Sequence, residues 1–140
     1  MNNNFPLYTT DYISGVMSLR KPQEKSLKIL EEIVNNVMPC KGMDLKAALG
    51  TVRAMYPTCS DFEHDFMSLT FALATGVGKT RLMGAFITYL YTRHGIGNFF
   101  VVAPGTTIYD KLQKDLGDTS NSKYIFKGIG CFLNPPNIVT

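Results

Sequence analysis

The stretch FALATGVGKTRLMGAFITYL, residues 71–90, decides the fold of this chain. An apolar run, Met67–Leu73, ends in the glycine-bearing turn ATGVGKT at 74–80, and apolar residues at helical spacing follow from Thr80 to about Arg93. A short run that is apolar throughout is typical of a strand buried on both faces. A buried strand, a glycine-rich turn and a helix in this order predict a loop that binds an anion at the amino end of the helix.

The residue types in this turn fit a triphosphate. Gly76 and Gly78 allow the backbone to approach phosphates closely, because a Cβ would collide or forbid the required dihedrals. Lys79 supplies a point charge for the β- and γ-phosphates, and the Thr80 hydroxyl is placed to bind Mg²⁺. The usual pattern begins with glycine where this chain has Leu73. The strand and helix on either side nevertheless favour a phosphate-binding P-loop.

The remaining pattern alternates between helices and strands. Helices are predicted over Pro22–Met38, over Asp44–Met55 with Asp44 as the cap, over Thr80–Arg93 with a stop at Gly95 or Gly97, and from Thr107 onwards; strands are predicted over Met67–Leu73, Asn98–Ala103, Tyr124–Phe126 and Ile138–Thr140. This rhythm predicts an α/β fold with a parallel sheet. We expect an amino-terminal helical segment at 1–66 and, at 67–140, the first part of a sheet that is incomplete at residue 140.

Composition restricts the class of protein more than its function. The chain has 140 residues, of which 45% are hydrophobic and 18% charged, and a net charge of +3. These values indicate a globular domain and say little about a polyanionic partner. Three widely spaced cysteines suggest neither a zinc site nor a disulfide framework. No signal peptide or membrane-length apolar run is present, so we expect a cytoplasmic protein without a membrane partner.

Three segments resemble motifs of superfamily 2 DEAD/DEAH-like helicases. ATGVGKT at 74–80 resembles motif I, NFFVVAPGTTIYDKL at 98–112 resembles motif Ia with its strand, and LRKPQ at 19–23 resembles the glutamine motif. The chain is most similar to the restriction subunit of type III restriction enzymes, over about residues 19–140. The resemblance implies the first RecA-like domain of an ATP-dependent DNA helicase or translocase.

The resemblance also implies a set of site residues. Gln23 would select ATP by bonding to adenine, with Arg20 nearby; Lys79 would be the catalytic residue, and Thr80 the ligand of Mg²⁺. The implied residues that bind ATP are Arg20, Gln23, Thr75, Gly76, Val77, Gly78, Lys79, Thr80 and Arg81. Pro104, Gly105, Thr106 and Thr107 would lie on the backbone of one DNA strand.

The same resemblance implies a modification methyltransferase as a candidate partner. It also places the acidic motif that holds Mg²⁺ beyond Thr140, and the arginine finger in a second domain. Phosphoryl transfer depends on such groups for most of its rate, so we expect this chain to bind ATP and to hydrolyse it negligibly.

Two other functions are compatible with a P-loop. One is a small nucleotide or metabolite kinase, although an arginine-rich lid is not evident in the sequence. The other is a truncated remnant that binds nucleotide without motor activity. The acidic stretch Asp61–Asp65 is interpreted as a solvated turn rather than a metal site.

Overall fold

The structure, a computed structural model, describes residues 7–140, and its regular elements are helices. They are α1 (Thr10–Val16), α2 (Lys21–Asn36), α3 (Leu45–Met55), α4 (Lys79–His94), α5 (Thr106–Gly117) and a short 3-10 helix at Gly130–Phe132. No helix in this range is long and apolar enough to cross a bilayer.

Four of the five α-helices were predicted, with ends shifted by one or two residues. Asp44 caps α3 as expected, because its carboxylate accepts hydrogen bonds from Lys46 N and Ala47 N at 3.0 and 3.1 Å. Gly95 ends α4 in the left-handed conformation, with φ of 66°. Helix α1 was missed: it has only seven residues and includes a glycine, and its first turn is held by Thr9 Oγ1, which accepts from Tyr12 N.

The predicted parallel sheet is not confirmed. Residues 7–140 contain no β-strand, and Met67–Leu73, Asn98–Ala103, Tyr124–Phe126 and Ile138–Thr140 have no ladder of backbone hydrogen bonds between them. The physical reason is that a helix satisfies its backbone groups locally, whereas a strand needs a neighbouring strand. Apolar runs can predict which segments suit a strand, but they do not supply its partner.

Helix α4 lies at the centre of the larger of two hydrophobic clusters. Ala85 and Tyr89 of α4 pack there with Ile13 of α1, Leu27 of α2 and Phe126. A smaller cluster joins the end of α2 to α3 and to the segment before the predicted first strand; its buried members are Ile33, Val37, Ala48, Val52 and Phe62. The larger cluster therefore contains side chains from both sides of the boundary predicted at residues 66 and 67, and the position of that boundary stays a prediction.

The core assignment can be tested with two leucines that differ in burial. Leu27 is fully buried and Leu133 is 77% exposed. We expect Leu27→Ala to lower the free energy of unfolding by about 2–5 kcal/mol, since it removes buried methyl groups and leaves a cavity. The matched change Leu133→Ala should alter that free energy by less than about 0.5 kcal/mol. Urea denaturation followed by circular dichroism measures both values, and equal losses would contradict the core described above.

Candidate functional site

The amino end of α2 lies against the loop at 74–80, the predicted P-loop. Gln23 is only 2% exposed, and its side-chain Nε2 donates to the carbonyl of Gly78 at 2.8 Å. Its Oε1 accepts from the backbone N–H of Arg20 at 2.7 Å, and Arg20 Nη1 donates to the carbonyl of Gly76 at 3.2 Å. Two residues of the predicted glutamine motif therefore hold two carbonyls of the predicted P-loop.

These two contacts fix the direction of two of the loop's N–H groups. In a trans peptide the C=O and the following N–H point in opposite directions. Because the carbonyls of Gly76 and Gly78 face Arg20 and Gln23, the N–H groups of Val77 and Lys79 face away from α2. Within residues 7–140, no N–H from Thr75 to Arg81 donates to a protein acceptor, and the first such bond is from Leu82 N to Gly78 O. A run of seven unpaired donors at a helix amino end is suited to an anion.

Glycine is required at position 78 for two independent reasons. Its φ of 91° lies in the left-handed region, which side chains with a Cβ disfavour. A Cβ at this position would also lie 2.6 Å from Gln23 Nε2, closer than any normal contact. Gly76 has a φ of 81° and open space around it, so only its backbone conformation requires glycine.

The three residues after Gly78 have different surroundings. Lys79 is exposed and belongs to none of the salt bridges within residues 7–140. Thr80 is half-buried and lines a cavity of about 590 Å³ beside the loop. The Arg81 Nη1 donates to the carbonyl of Met17 at 2.9 Å, which joins α4 to the end of α1. The predicted ATP-binding residues at both ends of this set, Arg20 and Arg81, thus also make structural contacts.

The predicted DNA-binding segment lies at the amino end of α5. Pro104, Gly105, Thr106 and Thr107 are all exposed, and α5 has no side-chain cap. The first backbone bond of the helix is from Tyr109 N to Gly105 O, so the preceding amides have no acceptor within the described chain. No hydrogen bond in residues 7–140 joins this segment to the P-loop.

A family model described as type III restriction enzyme, res subunit, matches residues 16–136. The chain belongs to this family. The match covers the glutamine motif, the P-loop and α5 together, and it confirms the resemblance stated from the three sequence motifs. Membership gives the general class, a helicase-like, ATP-dependent protein. Comparisons with curated proteins and with solved structures gave no match.

Sequence reasoning missed a group of charged residues around the cavity beside Thr80. Lys111 and Asp115 of α5 and the lysines at 123 and 127 line it together with Arg81. The pair of Lys111 and Asp115, four residues apart on a predicted helix, was readable from the sequence. The approach of Lys123 and Lys127 depends on the path of the loop after α5, for which the sequence gave no signal.

The role of Gln23 in holding the loop is open to a direct test. Gln23→Ala removes two hydrogen bonds, the one to the Gly78 carbonyl, which keeps its bond from Leu82 N, and the one from Arg20 N. At about 0.5–1.5 kcal/mol for each bond, we expect a loss of about 1–3 kcal/mol of local stability. Trypsin cleavage after Lys79 and Arg81 in the native protein should then become about 5- to 150-fold faster. The matched change Gln113→Ala removes a glutamine amide whose bond to Tyr109 is exposed, and should leave the cleavage rate unchanged. A Gln23→Ala protein that is cleaved at the wild-type rate would show that the loop is held by other contacts.

Proposed function

We propose that the chain binds Mg·ATP at the loop 74–80 as the nucleotide-binding part of an ATP-dependent helicase or translocase that moves on DNA. The observation that carries this proposal is the run of unpaired N–H groups from Thr75 to Arg81 at the amino end of α4. Family membership supports the helicase-like class. Binding to ATP, the track and the motor activity are the proposal.

Each residue of the loop has a role that its geometry allows. The amides facing away from α2 would bind phosphate oxygens, and the helix dipole of α4 favours the negative charge. The ammonium of Lys79 is exposed and free of carboxylates within residues 7–140, so it is available to the β- and γ-phosphates. The hydroxyl of Thr80 has no hydrogen bond to protein in that range and is the group we propose as a Mg²⁺ ligand.

Selection of adenine by Gln23 stays a prediction. Its Nε2 and Oε1 each already make one hydrogen bond, to Gly78 and to Arg20. A primary amide has two donors and two acceptor lone pairs, so one of each is unbonded. A base edge reaches them only if this side chain, now 2% exposed, is uncovered. We propose that Gln23 and Arg20 act on ATP through the loop carbonyls as well as at the base.

The proposed track is DNA, contacted at 104–107. The exposed amides and hydroxyls of Thr106 and Thr107, at the amino end of a 12-residue helix, suit phosphate contacts that do not depend on base sequence. From the family we also propose a modification methyltransferase as partner and a parallel sheet as part of the fold. Met67–Leu73, Asn98–Ala103 and Ile138–Thr140 would be strands of that sheet. Phe100 and Val102, which alternate along one segment and are 93% and 76% exposed, support a strand in this segment.

Nucleotide binding is tested by removing the charge of Lys79. We expect Lys79→Ala to weaken Mg·ATP binding by about 10- to 100-fold, since a hydrogen bond to a charged group contributes about 1.5–3 kcal/mol. Isothermal titration calorimetry measures the affinity. The exposed Lys114 of α5 gives the matched control, and Lys114→Ala should bind as the wild type does. A wild-type chain without Mg·ATP affinity, or a Lys79→Ala chain with full affinity, would refute the nucleotide site.

Turnover by the 140-residue chain should be negligible. Among residues 7–140 no group of three metal-binding side chains exists, and the one carboxylate lining the cavity beside Thr80 is that of Asp115. Asp115 is already bonded to Lys111 and Asn121, so it is not available to hold Mg²⁺ or orient a water. Phosphate release from ATP should therefore equal the buffer rate in wild type and in Lys79→Ala. Release that Lys79→Ala abolishes would show that this chain contains a complete catalytic site.

A further inference from the structure

A patch of exposed apolar side chains lies where two segments meet near α5. Phe100 and Val102 are 93% and 76% exposed, and Val139 is 85% exposed. The segments 99–103 and 137–140 line one cavity of about 420 Å³ together with residues of α5. We call the exposed large side chains of these two segments the apolar surface; they are Phe99, Phe100, Val101, Val102, Ile138 and Val139. A contiguous apolar surface of this kind is typical of an interaction site.

The apolar surface is free of charged side chains. The sequence contains no Asp, Glu, Lys or Arg from Gly95 to Tyr109 or from Gly128 to Thr140, whereas the whole chain has a net charge of +3. A partner recognised by its charge would find no opposite charge in these two stretches. Two copies of one chain carry the same net charge and repel each other. At this surface they can meet without placing like charges opposite each other, so the charge pattern favours a second copy.

The backbone of the segment 98–103 also lacks partners. The segment contains no helix, turn or bend, and none of its N–H or C=O groups makes a hydrogen bond within the described residues. Its phenylalanines and valines are residue types that favour strands. A strand with unpaired backbone groups is a template on which another chain can add a strand. A second copy brings the same unpaired donors and acceptors, so each copy can satisfy those of the other.

The order of side chains in this segment fits antiparallel pairing with itself. Two identical strands related by a two-fold axis place each residue opposite the one at the mirrored position about the axis. With the axis at Val101, this residue lies opposite its own copy, and Phe100 lies opposite the partner's Val102. An aromatic side chain opposite a β-branched one is among the pairs that stabilise a sheet. The register therefore gives two such pairs, formed by the most exposed side chains of the segment.

We infer that a second copy of this chain docks on the apolar surface, with residues 99–103 of the two copies paired as antiparallel strands about a two-fold axis at Val101. Such a pair forms roughly four to six backbone hydrogen bonds and covers Phe100 and Val102 in both copies. Ile138 and Val139 line the same cavity as this segment and widen the apolar contact. The inference goes beyond the proposed function and does not depend on nucleotide binding.

The interface is tested by placing a charge in it. Sedimentation equilibrium between about 1 and 100 µM measures the mass of the 140-residue chain, and wild type should reach twice the 15.6 kDa of one chain. We expect Phe100→Asp to raise the dimer dissociation constant at least about 10-fold, because the pairing would bury an unpaired carboxylate. The matched change Phe66→Asp, at a phenylalanine that is 62% exposed and lies outside the apolar surface, should leave the constant within about twofold of wild type. Circular dichroism checks that each variant is folded.

The register is tested with a single thiol at the proposed axis. The three native cysteines are first replaced by serine; they are Cys40, Cys59 and Cys131. In that background Val101→Cys places two thiols opposite each other, close enough to form a disulfide between copies. The control Met38→Cys carries its thiol at a position that is 62% exposed and far along the sequence. Under mild oxidation we expect the covalent dimer of the Val101→Cys chain to form at least about 10-fold faster on non-reducing gels.

Four outcomes would overturn the inference. One is a wild-type chain that stays monomeric up to about 100 µM. Another is a dimer that Phe100→Asp does not weaken, since its interface would lie elsewhere. Assemblies that grow beyond the dimer with concentration would show open-ended pairing in place of a two-fold pair. Equal cross-linking of the Val101→Cys and Met38→Cys chains would exclude the register about Val101. Mg·ATP titration of Phe100→Asp should match wild type, so the proposed nucleotide site is judged separately.

Discussion

The hydrogen bond from the Gln23 amide to the Gly78 carbonyl is the contact on which the candidate site depends. It joins two segments that are 55 residues apart in the chain and is protected by the burial of Gln23. A buried amide that makes this bond keeps the Gly78 carbonyl on one side, so the N–H of Lys79, which belongs to the same peptide, points to the other. The same bond leaves no room for a side chain on Gly78. One polar contact thus holds a loop carbonyl, leaves no space for a side chain at position 78 and sets the direction of the Lys79 N–H.

Helix α4 connects this loop to the rest of the molecule. Its amino end carries the loop, and farther along Ala85 and Tyr89 are packed in the main core. On another side of α4, Gly84 allows the close approach of Ile125. This contact brings the loop that carries Lys123 and Lys127 close to the loop at 74–80. Because α4 is held on several sides, a displacement at the loop meets resistance from the core rather than from the loop alone. This rigidity is what an anion site needs if its donors are to be in place before the ligand arrives.

The predicted strands show what local reasoning leaves undecided. Met67–Leu73 is partly covered, and Phe71 packs edge-on against Phe86 of α4 at 4.9 Å between ring centres. Asn98–Ala103 is exposed apart from Ala103, and lines a cavity with Ile138 and Val139. The apolar residues in both segments suit a sheet, but the pairing of strands depends on partners distant in sequence. In residues 7–140 the helices form their own backbone hydrogen bonds, whereas these two segments form no ladder of backbone hydrogen bonds.

The sequence by itself determined four helices, their caps at Asp44 and Gly95, and the family, because each follows from residue types at short fixed spacings. The P-loop at 74–80 stays a prediction. The sequence also pointed to Gln23 as a contact to adenine with Arg20 nearby, a role that stays a prediction. Only the tertiary structure decided that these residues hold the carbonyls of Gly76 and Gly78, and that Lys123 and Lys127 lie beside Thr80. Such contacts arise when helices pack, and packing depends on side chains from distant parts of the chain that no local pattern brings together.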